Sequence, residues 1–582
     1  MRPLRSALVA CLLLATANAQ ELRFEAGRSA TERWVRAELL ATQGIHSSLG
    51  YSHARITLEN LTGSERKTEL TLLTPWNGDG FRATRAITLP PGGTHTFFTP
   101  IPGAVSYLEA RLVVDGYTAD TRHTLNLQPD EARGLIVSDD PELRSRWIAE
   151  YEARIKDTGS RASTTPSLLG RDRGTLPAAW QLLSAIPIVV ADARTALSGD
   201  QHAALADYAR AGGLLVLLHA TQAPAGPLRD LLDDERGRAR FGAVVAVADN
   251  GLATASRIRS DLVAKLRANL AEEKTNGGQF LNMPQSAANA QAIPGLGAVP
   301  VRVFLLAVLA FVGFIVVKTY YWAHRRRQPL MLLVTIPASG FTLAIVVILY
   351  GMFAEGFGIQ GVRSSLMKLD QASQRAVVAT RASLYAGVGP SWILPNAATG
   401  LFSRQLTNRQ WNSRESHRLE FDLDRQRING AALPSRTPTH FLTVTPAPAR
   451  DRLRFQKDGD GWRWLAAAEF APADADGAIL WCDEEGKYWQ SRRDGRMEQL
   501  ASSAAAQRLA DAWREAFAGS DPQSRSLLHG WIQEQTANLP PPGTYFARMR
   551  SSTALDPLGL EVHWHNDQVF VHGTLGKEDH GR

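Results

Sequence analysis

Two long apolar runs with arginines between them constrain this chain more than any other feature. Residues 299–317 are apolar apart from Arg302. As a helix rising 1.5 Å per residue they would reach roughly 28 Å, enough to cross a bilayer. Tyr320, Tyr321 and Trp322 follow as an interfacial aromatic belt, and then comes His324-Arg325-Arg326-Arg327. Residues 330–353 form the second run, with Pro337 and Gly340 inside it; membrane helices tolerate both, because neighbouring helices satisfy the freed backbone groups. The expectation is a pair of transmembrane helices, 299–322 and 330–353, joined by a basic cytoplasmic loop, 323–329. Arg325, Arg326 and Arg327 set that topology by the positive-inside rule.

The start of the chain points the same way. Arg2 and Arg5 precede an apolar run from Ala7 to Ala15, and Ala17-Asn18-Ala19 offers a small-residue cleavage site. Residues 1–19 therefore read as a signal peptide, with a lipobox at Leu8-Val9-Ala10-Cys11 or a retained anchor as alternatives. Both large halves then fall in the periplasm, and the protein sits in a bacterial inner membrane.

At 582 residues the chain is too long for one core, and 21% charged with 44% apolar residues describes folded domains. The net charge is +7, but Arg2, Arg5, Lys318, Arg325, Arg326 and Arg327 belong to the leader and the hairpin flanks; without those six the balance is +1. That is no footprint for a polyanion, so no nucleic-acid partner is expected. Cys11 and Cys482 are the two cysteines, and Cys11 lies in the leader. One remaining thiol excludes an intramolecular disulfide and a Cys-rich zinc site.

Residues 20–128 alternate apolar and polar in short stretches, as in Ala54-Arg-Ile-Thr-Leu-Glu59 and Tyr107-Leu-Glu-Ala-Arg-Leu-Val-Val114. Turn signals such as Pro90-Pro91-Gly92-Gly93 separate them. This pattern predicts an immunoglobulin-like β-sandwich. From residue 130 the pattern changes. Gly134-Leu-Ile-Val-Ser138, Ile186-Pro-Ile-Val-Val190 and Leu214-Leu-Val-Leu-Leu218 are continuous apolar strands with helical stretches between them. That alternation predicts an α/β domain with a parallel sheet over 130–275. Asp139, Asp140, Asp192 and His219 stand at the carboxyl ends of those strands, where such sheets bind ligands, so they are candidate ligand-binding residues. The competing reading is that strand ends meet water and Asp caps the next helix.

The stretch Ile188-Val-Val-Ala-Asp192, Leu197-Ser198, Leu205 and Tyr208-Ala-Arg-Ala-Gly-Gly213-Leu-Leu-Val216 resembles the class I glutamine amidotransferase-like fold. Active members of that superfamily need a nucleophilic Cys at a strand-to-helix elbow, and apart from Cys11 no Cys precedes the hairpin. The resemblance therefore implies the fold without the usual chemistry.

Residues 276–298, rich in Gly, Asn, Ala and Pro, read as a linker. Residues 362–582 read as a mainly-β periplasmic region with one helix, on which Leu509, Ala512, Trp513, Ala516 and Phe517 share a face. Near the end, Leu560-Glu-Val-His-Trp-His565, Asn566-Asp567 and Gln568-Val-Phe-Val-His572 predict a β-hairpin turning at Asn566-Asp567. Glu561, His563, His565 and His572 would then share one face, a candidate metal site against the plainer reading of a solvated polar face.

The domain order resembles a group of bacterial inner-membrane proteins without assigned function. These carry an exported β-sandwich, a degenerate class I glutamine amidotransferase-like domain, a basic two-helix membrane hairpin and a β-rich tail. The likeness rests on Gly212-Gly213, on "IPGLGAVPVRVFLL" at the first run, and on Arg325-Arg-Arg327 with Pro337 beyond it. Such proteins are grouped with MoxR-type ATPase and von Willebrand-factor-A membrane proteins of envelope maintenance.

The expectation is a multidomain α/β plus β chain with two transmembrane helices. It would be a non-catalytic inner-membrane scaffold or binding protein with no cofactor, engaging other envelope or membrane proteins. Phosphate-binding loop, dinucleotide fingerprint, Gly-x-Ser-x-Gly elbow and His-Glu-x-x-His helix are all missing from the sequence. Two alternatives stay open: an accessory subunit of a membrane transport complex, and a metal-dependent periplasmic hydrolase.

Overall fold

A computed structural model describes residues 21–28, 31–42, 50–73, 80–102, 107–118, 123–126, 133–157, 167–186, 188–233, 242–252, 305, 308–325, 330, 333–334, 337–345, 358–396, 399–406, 418–422, 425–429, 432–449, 452–459, 461–466, 477–518, 539–549 and 556–576. The leader at 1–19 and the linker at 276–298 lie outside the described residues.

Nine strands open the chain: β1 (Glu21–Gly27), β2 (Arg33–Thr42), β3 (Tyr51–Asn60), β4 (Arg66–Leu73), β5 (Gly80–Leu89), β6 (Thr94–Pro102), β7 (Tyr107–Val114), β8 (Tyr117–Thr118) and β9 (His123–Asn126). β1-β2-β3-β6 form one antiparallel sheet. The others build a second sheet, and the two close over a shared core. The alternation of β3 explains the packing: Ala54, Ile56 and Leu58 are buried while Arg55, Thr57 and Glu59 lean outward. The inward residues meet Leu70, Leu72, Leu108 and Leu112 of the facing sheet.

Next comes a five-stranded parallel sheet of β10 (Arg133–Val137), β11 (Ser167–Arg171), β12 (Ile188–Asp192), β13 (Leu214–Leu218) and β14 (Ala243–Ala246), in the order β11-β10-β12-β13-β14. Every residue of β12 and β13 is buried, as a sheet covered on both faces requires. Helix α1 (Pro141–Asp157) covers one face, with Leu143 and Trp147 packed on Ile136, Val190 and Val216. Helices α2 (Gly199–Ala211) and α3 (Pro227–Asp233) cover the other, where Leu205, Tyr208 and Leu228 meet Leu135, Val189 and Leu215. α2 starts on a capping box between Ser198 and Gln201 and stops at Gly212, φ 126°. The following Gly213 lies against the Tyr208 ring.

The transmembrane reading of 299–322 and 330–353 is corrected. Among the described residues no helix is long and apolar enough to cross a membrane. Phe311–Val316 is π-helical and runs into α4 (Val317–Arg325), nine residues or about 14 Å of α-helix, which carries Lys318, His324 and Arg325. In the second run the described helix is 337–345. Arg325 ends α4 and is exposed; Arg326 and Arg327 lie outside the described residues. The described residues are mostly β, 49% strand against 23% helical, so the expected balance of α/β plus β with two membrane helices gives way to several sheets.

Fourteen further strands follow: β15 (Ile359–Asp370), β16 (Arg375–Ala386), β17 (Trp392–Ile393), β18 (Gly400–Leu406), β19 (Arg418–Asp422), β20 (Arg425–Asn429), β21 (Thr439–Pro448), β22 (Leu453–Asp458), β23 (Gly461–Ala466), β24 (Ile479–Cys482), β25 (Tyr488–Ser491), β26 (Arg496–Gln499), β27 (Thr544–Met549) and β28 (Val562–Thr574). Helix α5 (Ser503–Ala518) lies between β26 and β27. Eleven of the strands form one sheet, β18-β21-β16-β15-β28-β27-β24-β25-β26-β23-β22. Its far end curls back: Phe455 of β22 stacks on Trp481 of β24 with ring centroids 4.1 Å apart. Flat strands that far apart in the order would stand roughly 19 Å from each other.

These units are packed together. The outer sides of α2 and α3 share a core with Leu366, Val377, Ala379, Val444, Phe546 and Phe570 of the large sheet. β19 pairs in parallel with β5, Arg418 opposite Gly80, so β17, β20 and β19 continue the second sheet of the sandwich. The start of β3 touches the parallel-sheet domain through Tyr51, whose carbonyl accepts from Ala185 N–H at 2.9 Å.

Candidate functional site

Three parallel strands deliver the polar residues expected at their carboxyl ends. β10 leads into Ser138-Asp139-Asp140, β12 ends on Asp192, and β13 is followed by His219. Asp192 is the centre of the group and only 2% exposed. Its Oδ2 accepts from Ser138 Oγ at 3.1 Å and from Arg194 Nη2 at 2.9 Å; its Oδ1 accepts from His219 Nδ1 at 2.9 Å and from the Arg194 backbone N–H at 3.1 Å. Burial pushes the Asp192 carboxyl up, but the bonds from Arg194, His219 and Ser138 outweigh it and hold the group below the usual carboxylate range. An ionised Asp192 orients the His219 ring with its proton on Nδ1, and Nε2 has no partner among the described residues.

His219 has a left-handed backbone, φ 50° and ψ 42°, a conformation that is costly for a side chain with a Cβ. It forms the elbow between β13 and a short 3-10 turn, Ala220–Gln222. The backbone donors of that elbow are used: His219 N–H bonds Asp249 O at 3.0 Å, and Ala220 N–H bonds Val247 O at 2.7 Å.

The expected residues are therefore unequal. Asp192 and His219 touch. Asp140 caps α1, accepting from Glu142 N–H at 2.9 Å and Leu143 N–H at 3.0 Å, and lies 3.9 Å from Arg194 Nη2. Asp139 is half exposed and stands 4.0 Å from Arg173 Nη1. Ser138, Arg194 and Thr195, whose Oγ1 accepts from Asp139 N–H at 3.3 Å, complete the group and were missed from sequence. The available signals were the Ser directly before the paired Asp and the Arg two residues after Asp192. With its oxygens occupied by Arg194, His219 and Ser138, Asp192 is poorly placed as a metal ligand. Among the described residues no three His, Cys, Asp or Glu side chains stand where they could hold a metal ion together.

The terminal His group is corrected. Residues 562–574 are one continuous strand, β28, with β15 parallel on one side and β27 antiparallel on the other, and no turn at Asn566-Asp567. A register shift opposite Gly361/Val362 absorbs the irregularity. His563 and His565 are exposed, with rings 5.1 Å apart, and His565 Nε2 lies 2.7 Å from Gln360 Oε1. Glu561 is exposed just before the strand. His572, seven positions or about 23 Å further along an extended chain, is buried with its ring edge-on to Phe546. The four residues do not converge. Asp567, expected in the turn, instead pairs with Arg363.

No protein-family model matches the chain, and no curated protein sequence does. Among solved structures, Northeast Structural Genomics Consortium target SoR45 aligns at 14% identity over 19% of this chain and 84% of that one, TM-score 0.11. A Bacteroides uniformis beta-glucuronidase 2, covalently bound to cyclophellitol-6-carboxylate aziridine, aligns at 14% identity over 34% of this chain and 30% of that one, TM-score 0.14. Superpositions this loose carry no argument about fold or function.

Proposed function

We propose that the chain is a non-catalytic scaffold or binding protein of the bacterial cell envelope, engaging protein partners through its packed domains. The observation that carries this reading is the elbow at His219. An elbow that stabilises an oxyanion leaves backbone N–H groups free to point at it, whereas the amides of His219 and Ala220 are spent on Asp249 and Val247. The residue that forms this elbow is His219 and not a cysteine. Asp192, the one deeply buried carboxylate of the group, is neutralised from within the domain.

The test has two arms on the full chain. Purified protein and its His219→Ala variant are assayed for hydrolysis of p-nitrophenyl acetate, p-nitrophenyl phosphate and glutamine; both are expected at the buffer rate. Turnover by the wild type that the variant loses would overturn the reading. Crosslinked affinity purification from native cells is expected to return a stoichiometric protein partner, and recovery of the chain alone would count against a scaffold.

A further inference from the structure

Between the sandwich and the parallel-sheet domain lies a buried histidine with an unusual set of neighbours. His53, on β3, is completely buried. Its Nδ1 lies 3.1 Å from Leu182 O and its Nε2 3.0 Å from Thr175 O, both backbone carbonyls of the other domain. A neutral imidazole owns one N–H, so it satisfies one carbonyl and turns a lone pair toward the other. A protonated ring would donate to both. It would also bury a positive charge, with the Arg171 guanidinium adding to the local field.

The other groups around this joint do not offset that charge. Tyr51 donates its N–H to Ser184 Oγ at 2.8 Å, and its own phenol is buried and pushed well above its usual range. The Phe98 ring stands edge-on to His53, with centroids 5.6 Å apart. Arg55 and Asp172 are both close to Gly174, at the rim of the contact. The ring has no carboxylate partner among the described residues.

We propose that this joint is an acid-released latch: protonation of His53 loosens the sandwich from the parallel-sheet domain while each keeps its own core. Burial, opposed only in part by the two carbonyls, brings the docked imidazole down to about 4 from its ordinary 6.5. The undocked ring binds a proton more readily than the docked one, so docking is at full strength above pH 6.5 and weakens as pH falls toward 4. At pH 5 the shift favours undocking about 30-fold relative to pH 7.5. The β5–β19 ladder joins the sandwich to the C-terminal region independently of this contact.

Hydrogen exchange on the full chain tests the latch, comparing pH 7.5 with pH 5 after correction for intrinsic rates. The amides of Tyr51 and Ala185, which donate across the joint, are expected to lose about 30-fold protection at pH 5, while those of 188–192 and 214–218 keep theirs. In His53→Gln, which keeps one N–H donor and does not titrate, that pH dependence is expected to vanish. Equal loss in wild type and variant, or loss across all strands together, would overturn the proposal. If the variant does not fold, an NMR titration of the wild-type ring decides: a midpoint near 4 supports the latch and one at 6.5 or above removes it.

Discussion

Arg363 and Asp567 face each other across the parallel strands β15 and β28 and close a two-point ion pair, Nε to Oδ1 at 2.9 Å and Nη2 to Oδ2 at 2.5 Å. Both side chains are almost wholly buried, and the guanidinium lies 4.6 Å over the Trp564 ring. Removing one member strands the other charge in the sheet, which costs about 3–5 kcal/mol. Asp567→Ala and Arg363→Ala should each lower stability by that order in urea denaturation. The double variant Arg363→Met/Asp567→Leu should recover much of the loss. An Asp567→Ala protein as stable as wild type would show that the pair contributes nothing.

Asp192 links three strand ends, so its loss should be felt at all of them. Asp192→Asn keeps the shape but weakens the bonds to Arg194 and His219, an expected cost of roughly 1–3 kcal/mol at pH 7. Because the folded carboxyl lies below its ordinary 3.8, the stability it adds is present above that value and is lost as pH falls through the folded one. The gap between wild type and variant in denaturation midpoints should therefore narrow below about pH 4. A gap that stays constant down to pH 2 would contradict this assignment.

A Cβ on Gly213 would fall 2.2 Å from the Tyr208 ring, whose hydroxyl donates to Ile186 O at 2.7 Å. Gly213→Ala should destabilise the parallel-sheet domain by roughly 1–3 kcal/mol through overpacking. Gly199→Ala is the control, since nothing lies within 4 Å of its Cβ position; its midpoint should barely move.

Cys482 should be inert in the native chain. Burial first, and Asp483 beside it second, push its thiol up to about 11. Alkylation by iodoacetamide at pH 8, read by mass spectrometry at this residue, should be slow until denaturant exposes it. Rapid native labelling would mean that the strand end opens.

What was legible in the sequence was local. The apolar runs at 186–190 and 214–218 were read as strands from their lack of charged residues, and strands β12 and β13 lie there, β12 displaced two residues onward to Asp192. The strand-end position of Asp192 and His219 followed from the same pattern, but their 2.9 Å contact did not. Nor did Arg194, which gains meaning only once Asp192 is buried beside it. At the other end of the chain, Asn566-Asp567 carries a turn signal that the structure ignores. The partner that holds Asp567 in a strand is 204 residues away.

The sequence by itself determined which segments bury themselves and with what period, since hydrophobic burial and backbone hydrogen bonding act on neighbours a few residues apart. Only the tertiary structure decided what those segments bury against: β19 on β5, α2 on the large sheet, His53 between two carbonyls. Such pairings depend on which surfaces meet after long loops close, and loop closure leaves little trace in local composition. The apolar runs at 299–353 show the limit most clearly. Their hydropathy was plain from sequence, whereas the helical geometry of their described parts, π-helical at 311–316, was not.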